Sequence, residues 1–187
     1  MRMPLRVGLK IAVLLCAAKS AQATTLARLS LDQLAGAADA VARVQCTGTE
    51  SRWENDAIWT VTTFSVVETL KGSLPPQISV RLPGGRVGHL TAAVDGTPTF
   101  NVTDEAIVFL EKSQAGGFSV AAWVEGTFRI GRDPRTGVET VTQDSSNFAV
   151  FDTATRTFRT EGIRRMPMKQ FRDRVAAALS GAQEKSQ

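Results

Sequence analysis

Between residues 40 and 142 the chain is a succession of short runs rich in Val, Thr, Ile, Phe and Trp, closed by Gly and Pro turns and without an intervening helical repeat. β-branched and aromatic side chains suit a pleated, half-buried surface. Gly punctuates such runs because it turns freely, and Pro because it cannot donate to a ladder. A parallel sheet would need a crossover of a dozen or more residues between strands, commonly a helix. The pattern predicts a mainly β domain whose antiparallel sheet closes into a barrel or, alternatively, folds into a sandwich.

The runs can be placed one by one. Residues 40–50 and 58–70 read as paired strands with Glu54-Asn55-Asp56 at the hairpin tip. Ile78, Val80 and Leu82 alternate with Ser79 and Arg81, a strand with one apolar face that ends at Pro83-Gly84-Gly85. Ala106-Ile107-Val108-Phe109-Leu110 is apolar at every position, as a central strand requires. Gly116-Gly117 turns the chain into a strand over 118–124, Gly126 precedes another over 127–130, and Asp133-Pro134-Arg135-Thr136-Gly137 leads into a last one over 138–142.

Helices are expected only at the two ends. Ser30 and Gln33 fit a capping box, with Leu29 and Leu34 as its hydrophobic staple, and the helix ends within residues 36–39. Met168, Phe171, Val175, Ala178 and Leu179 recur at helical spacing after Pro167, which suits a first turn. This amphipathic helix is expected to lie across an open end or edge of the barrel. Residues 24–180 then form a single domain, and residues 181–187 a disordered tail.

The first 23 residues carry Arg2, Arg6, Lys10 and Lys19, a short apolar run, and Ala21 and Ala23 in an A-x-A arrangement. That is the pattern of a secretory signal peptide, with an apolar run too short to span a bilayer. Leu15, before Cys16, is the wrong size for lipoprotein processing. The mature chain is therefore expected to be soluble and exported, in a periplasm or outside the cell, with no transmembrane segment. Of 22 Lys and Arg, 18 follow residue 23, against 18 Asp and Glu, so the excess charge of +4 belongs to the leader. A neutral chain has no overall field for nucleic acid or anionic lipid. Arg156, Arg159, Arg164, Arg165, Lys169, Arg172 and Arg174 form one local basic stretch, read as a solvated face or as a patch for an acidic partner. Cys46 is left alone, on the strand side of Ala40, Ala42 and Val44, which makes it a buried thiol that forms no internal disulfide.

The segment RLPGGRVGHL holds the chain's single histidine, His89, and looks most like chemistry. Gly84, Gly85 and Gly88 are not followed by Lys and Ser or Thr, nor by a helix, so it is no P-loop. His89 and Cys46 are too few for a zinc site, and no nucleophile elbow accompanies the histidine. No metal or cofactor is implied. Glu54, Asp56, Asp104, Glu105 and Glu125 could supply a carboxylate pair, although each reads first as a solvated turn acid. Trp53, Trp59 and Trp123 could stack on a ligand or anchor a barrel rim.

Two resemblances follow from longer stretches. AADAVARVQCTGTESRW and WTVTTFSVVETLKG resemble the opening of netrin-like modules, the OB-type barrels also found in tissue inhibitors of metalloproteinases. Ala38-Asp39, Val41, Val44 and Leu70-Lys71-Gly72 carry the likeness. It implies the fold alone, because those inhibitors act through an N-terminal cysteine in a disulfide-rich chain. RLPGGRVGHLTAAVDGTPTFNVTDEAIVFLEKS, running into GFSVAAWVEGTFRI, is similar to a group of uncharacterised exported bacterial proteins. Pro83, Gly84, Gly85, Gly88, Val94, Gly96, Pro98, Phe100, Glu105 and residues 108–110 match the group's pattern. Some members lie beside or are joined to secreted metalloproteases; this chain lacks H-E-x-x-H.

Together these readings make Pro83-Gly84-Gly85 a turn that starts a long excursion, ending at Phe100, over a barrel mouth. The expected function is a non-catalytic exported module that binds a protein or peptide, in the cell envelope or among secreted proteins, through residues 83–100. A secreted protease is one such partner. Arg86, His89, Trp53 and Trp59 are the expected contacts, with Pro83, Gly84, Gly85 and Gly88 forming the loop. A small carboxylate-dependent hydrolase and a cell-envelope structural protein held by its basic C-terminal segment are the alternatives.

Overall fold

A computed structural model of the chain describes residues 29–147, 150–152, 157–159 and 162–184. The expected leader, residues 1–23, and residues 185–187 of the expected tail lie outside the described residues. Helix α1 (Leu31–Ala37) opens on the capping box: the Gln33 amide donates to Ser30 Oγ at 3.2 Å and the Ser30 amide to Gln33 Oε1 at 2.8 Å.

The longest strands, β1 (Ala40–Glu54) and β2 (Ala57–Lys71), form the expected hairpin. Asn55 and Asp56 both adopt positive φ, 48° and 62°, the tight turn whose twist matches its strands. β2 pairs with β3 (Gln77–Pro83), which leads into a small separate hairpin, β4 (Gly85–Val87) and β5 (Leu90–Ala92). The apolar strand β6 (Glu105–Lys112) is central, as expected: one edge pairs with β1, the other is divided between β7 (Phe118–Val120) and β8 (Thr127–Arg132). The sheet continues through β9 (Glu139–Gln143) to the two-residue β12 (Met166–Pro167). Before β12, β10 (Val150–Asp152) and β11 (Thr157–Arg159) pair with each other.

Three expectations are corrected. The sheet is mixed and not purely antiparallel, because β3 and β7 pair in parallel at Val80 and Phe118. The reason is one of parity: the pairings run β1, β2, β3, β7, β6 and back to β1, and a circuit of five strands cannot alternate direction throughout. The run over 118–124 is broken after Val120, where Ala122 and Trp123 take positive φ and a 3-10 turn spans Trp123–Gly126. Helix α2 (Met168–Glu184) continues past Gly181, whose Cα faces open space, into Ala182-Gln183-Glu184, all good helix formers.

Alternation along β1 and β6 creates two cores. Ala40, Ala42, Val44 and Cys46 join Ala106, Val108 and Leu110 with Phe64, Val80 and Phe100 in one buried cluster. Val41, Ile107 and Phe109 face the other way, against α1, Phe128 and the α2 residues Phe171 and Val175. The pairing of β1 with β2 carries three register shifts, between Val41 and Ala42, Arg43 and Val44, and Cys46 and Gly48. No helix among the described residues is long and apolar enough to cross a membrane.

Candidate functional site

Residues 84–100 lead from β3 through the β4–β5 hairpin to the segment before β6, and their first residues lie against Ser51, Ile58 and Thr60 of β1 and β2. The crossing begins with a close approach. The Gly84 amide donates to the Ile58 carbonyl at 2.8 Å, and Thr60 Oγ1 donates to the Gly84 carbonyl at 2.7 Å. Gly84 and Gly85 have φ of +90° and +132°, and a Cβ on Gly85 would collide with the Ser51 and Thr60 hydroxyls. Only glycine lets the chain lie down here.

The hairpin β4–β5 then pairs only with itself, and its tip, Gly88 and His89, is exposed. The chain returns at Phe100, which is 5% exposed and meets Phe64 edge-on at a centroid separation of 4.9 Å. Arg129 of β8 fastens this end. Its guanidinium donates to the Thr99 carbonyl at 2.6 Å and lies 4.2 Å from the centre of the Phe100 ring. It also pairs with Asp144 at 2.8 Å and Asp104 at 3.2 Å.

Beneath the crossing lies a groove of about 390 Å³, floored by Thr49, Ser51, Thr60 and Thr62 and roofed by residues from Gly84 to Phe100. Ser51 and Thr60 share a 2.8 Å hydrogen bond on that floor. The hydroxyl row continues the inner faces of β1 and β2. Beyond Cys46 and Phe64 those faces change from apolar side chains to Thr and Ser, opposed in register as Thr49 with Thr62 and Ser51 with Thr60. Such alternating hydroxyls are visible in the sequence, but only a fixed register makes them one surface.

The expected contact residues divide between two faces. Arg86 and His89 are exposed on the hairpin, the Arg86 Nε donating to the Gly88 carbonyl at 3.2 Å. Trp53 is 53% exposed, on the face of β1 that also carries Ser51. Trp59 points to the opposite face of the β-hairpin, where Arg81 lies 3.9 Å from its ring centre and Glu54 holds Arg81 at 2.8 Å. Trp59 therefore does not join the other three.

The acids are placed by pairings that no local motif announces. Glu105 binds Arg43 at 2.6 Å, and Glu139 binds the same guanidinium at 3.2 Å. The hydrogen bonds that Arg43 donates to the Glu105 carboxylate raise the Arg43 pKa above its ordinary value. Arg43, Asp104, Glu105, Arg129, Arg132 and Glu139 line a second, open groove of about 590 Å³. The Arg43 and Arg129 guanidiniums there are already committed to carboxylates, so the groove is an ionic seam. Glu125 is buried at 1% exposure and accepts from Gln143 Nε2 at 2.9 Å. Asp56 is exposed on its turn. No group of three or more His, Cys, Asp or Glu is arranged to hold a metal among the described residues.

In the basic C-terminal stretch, Arg165 pairs with Asp133 at 3.3 Å, Lys169 with Asp173 at 3.1 Å, and Arg172 with Glu68. Asp133 also accepts from the Thr136 and Arg135 amides, which hold its carboxyl below the usual range. Comparison of the chain with family models, with curated proteins and with solved structures returns no match.

Proposed function

We propose that this chain is an exported, non-catalytic binding module, built on an OB-type barrel, that recognises a protein or peptide through the outer side of the 83–100 excursion. The observation that carries the reading is the β4–β5 hairpin. It pairs with no strand of the main sheet and presents Arg86, His89 and Leu90 outward, Leu90 being 44% exposed, beside a β1 strand bearing the exposed Trp53. Exposed apolar and aromatic groups next to an arginine are the composition of protein-binding hot spots.

The barrel reading is supported by the circuit order. Numbered along the chain, its strands meet as first, second, third, fifth, fourth and first again, with the third and fifth parallel, the order of a five-stranded OB barrel. The non-catalytic reading is supported by the environment of Asp104 and Glu105. Each is neutralised by an arginine in an open groove, whereas a catalytic acid pair wants one group in an apolar setting. The pairing of Arg165, Lys169 and Arg172 with acids likewise favours the module over an envelope protein anchored through that basic segment.

The test is affinity purification from the host's own exported fraction, read by mass spectrometry, with the wild-type protein and an Arg86→Ala/His89→Ala variant. A stoichiometric protein, such as a secreted protease, that is lost with the variant while the melting temperature stays unchanged supports the reading. Equal recovery by both proteins sinks it.

A further inference from the structure

One edge of β1 is used only in part. It pairs with β6 as far as Gln45, and Cys46 closes that pairing, its amide donating to the Asp104 carbonyl at 2.9 Å and its carbonyl accepting from the Thr103 amide at 2.8 Å. From Gly48 to Glu54, β1 pairs with β2 in unbroken register, and no other described strand pairs with it. The Ile58 carbonyl accepts from Gly84 on the β3 side, so the pair of Ile58 with Trp53 exchanges no hydrogen bonds. Antiparallel pairs alternate between bonded and non-bonded. Glu50, Arg52 and Glu54 therefore bond to β2, whereas the amides and carbonyls of Thr49, Ser51 and Trp53 point away from it. Thr49, Glu50, Arg52 and Trp53 are exposed, and among the described residues no backbone hydrogen bond from residues 84–100 reaches this edge.

An unpaired edge is a template for another strand, and proteins commonly blunt it with proline, a bulge or charged side chains. Residues 49–53 hold no proline and no bulge, and their two charges, Glu50 and Arg52, are opposite. Neither makes an ion pair among the described residues, unlike Glu54, which holds Arg81. Two copies of the segment laid antiparallel about Ser51 are complementary. Ser51 then meets Ser51 of the other copy, Thr49 meets Trp53, and Glu50 meets Arg52 twice over. The bonded pairs fall on the three residues whose backbone groups point outward. Glu50 and Arg52 fall on the non-bonded pairs, where side chains come closest and opposite charges attract. A shift of the centre by one residue sets Arg52 against Arg52 or Glu50 against Glu50, so charge selects the register. We propose that this chain forms a symmetric dimer through the edge of β1 at residues 49–53, the β1–β2 hairpins of two copies joining into one continuous sheet. The contact uses no residue of the β4–β5 hairpin and goes beyond the reading above.

Sedimentation of the purified protein over a range of concentrations is expected to show a monomer–dimer equilibrium. Arg52→Glu and Glu50→Arg each set like charges opposite one another at two symmetry-related places, and each is expected to weaken dimerisation roughly tenfold or more. Both positions are exposed, so the variants should keep the wild-type melting temperature at concentrations where all are monomeric. Mixing the two variants puts opposite charges across the edge again, as does the double change Glu50→Arg/Arg52→Glu in one chain, and both are expected to recover dimers. A protein that is monomeric at every concentration, a dimer indifferent to either single change, or no recovery in the mixture or the double variant would each overturn the proposal. None of these readings needs a partner from the host, so they are separate from the test of the hairpin.

Discussion

Arg129 lies over the Phe100 ring, 4.2 Å from its centre, and the same guanidinium donates to the carbonyl of Thr99. One side chain of β8 thus holds the end of a segment that begins at β3, while Asp144 and Asp104 hold the arginine. The crossing is a fastened cover, with its free hairpin in the middle.

Replacing Arg129 by Ala should therefore release that end. Asp104 and Asp144 would lose their counter-ion, and the expected loss of stability is roughly 1–3 kcal/mol, below that of a fully buried pair because the side chain retains some solvent contact. Arg129→Lys should recover little, since one ammonium cannot reproduce a fork that reaches two carboxylates and a carbonyl. Urea unfolding gives the energies. Hydrogen exchange at the Asn101 and Thr103 amides, which bond to Asp104 Oδ2 and the Cys46 carbonyl, reports the loosening locally.

Gly85→Ala attacks the other end. The substitution puts a methyl group against Ser51 and Thr60 at a backbone φ of +132°. Strain of that kind costs roughly 1–3 kcal/mol. The Gly84 amide should lose protection from exchange, whereas Gly88→Ala, at φ +60° with nothing near a Cβ, should add backbone strain at the hairpin tip and leave the Gly84 amide protected. Equal loss of protection at the Gly84 amide in both variants would contradict the close approach.

Arg43 and Glu105 should be coupled. A double-mutant cycle with Arg43→Met and Glu105→Gln is expected to give an interaction of about 1 kcal/mol, since the Arg43 side chain is 22% exposed and its geometry is good. Glu139, the second acceptor, should take up part of the loss. Additivity of the single changes would show that the seam contributes nothing.

Burial raises the Cys46 thiol above its ordinary value. The folded protein thus binds that proton more tightly than the unfolded chain does. The associated stability is complete below the unfolded thiol's pKa and is lost as pH rises through the folded value. Between neutral and alkaline pH, urea midpoints of the wild type should fall more than those of Cys46→Ala. Thiol reagents should label the folded protein slowly and the unfolded protein quickly.

What could be read in advance was local. Ser30 and Gln33 cap α1, Asn55 and Asp56 turn the long hairpin, and the apolar run from Ala106 to Leu110 is the central strand, because each depends on neighbours in sequence. The parallel contact of Val80 with Phe118 depends on closure of a circuit, and the union of Arg43 with Glu105 spans 62 positions. Their residue types carry no sign of it. The excursion was legible from Pro83-Gly84-Gly85 and Phe100, but its inner hairpin and the hydroxyl floor beneath it required the register of β1 on β2. That Trp53 and Trp59 lie on opposite faces of the hairpin likewise follows from the register, since adjacent positions in a strand face opposite ways.

The most direct measurement is photocrosslinking in the host's exported fraction from a benzoylphenylalanine at position 89, beside a control at position 169 on α2. The account predicts a single crosslinked protein from position 89, absent from position 169 and lost when Arg86→Ala is added. Identical crosslinking from both positions, or none from position 89 in the fraction where the protein resides, would contradict recognition through the hairpin.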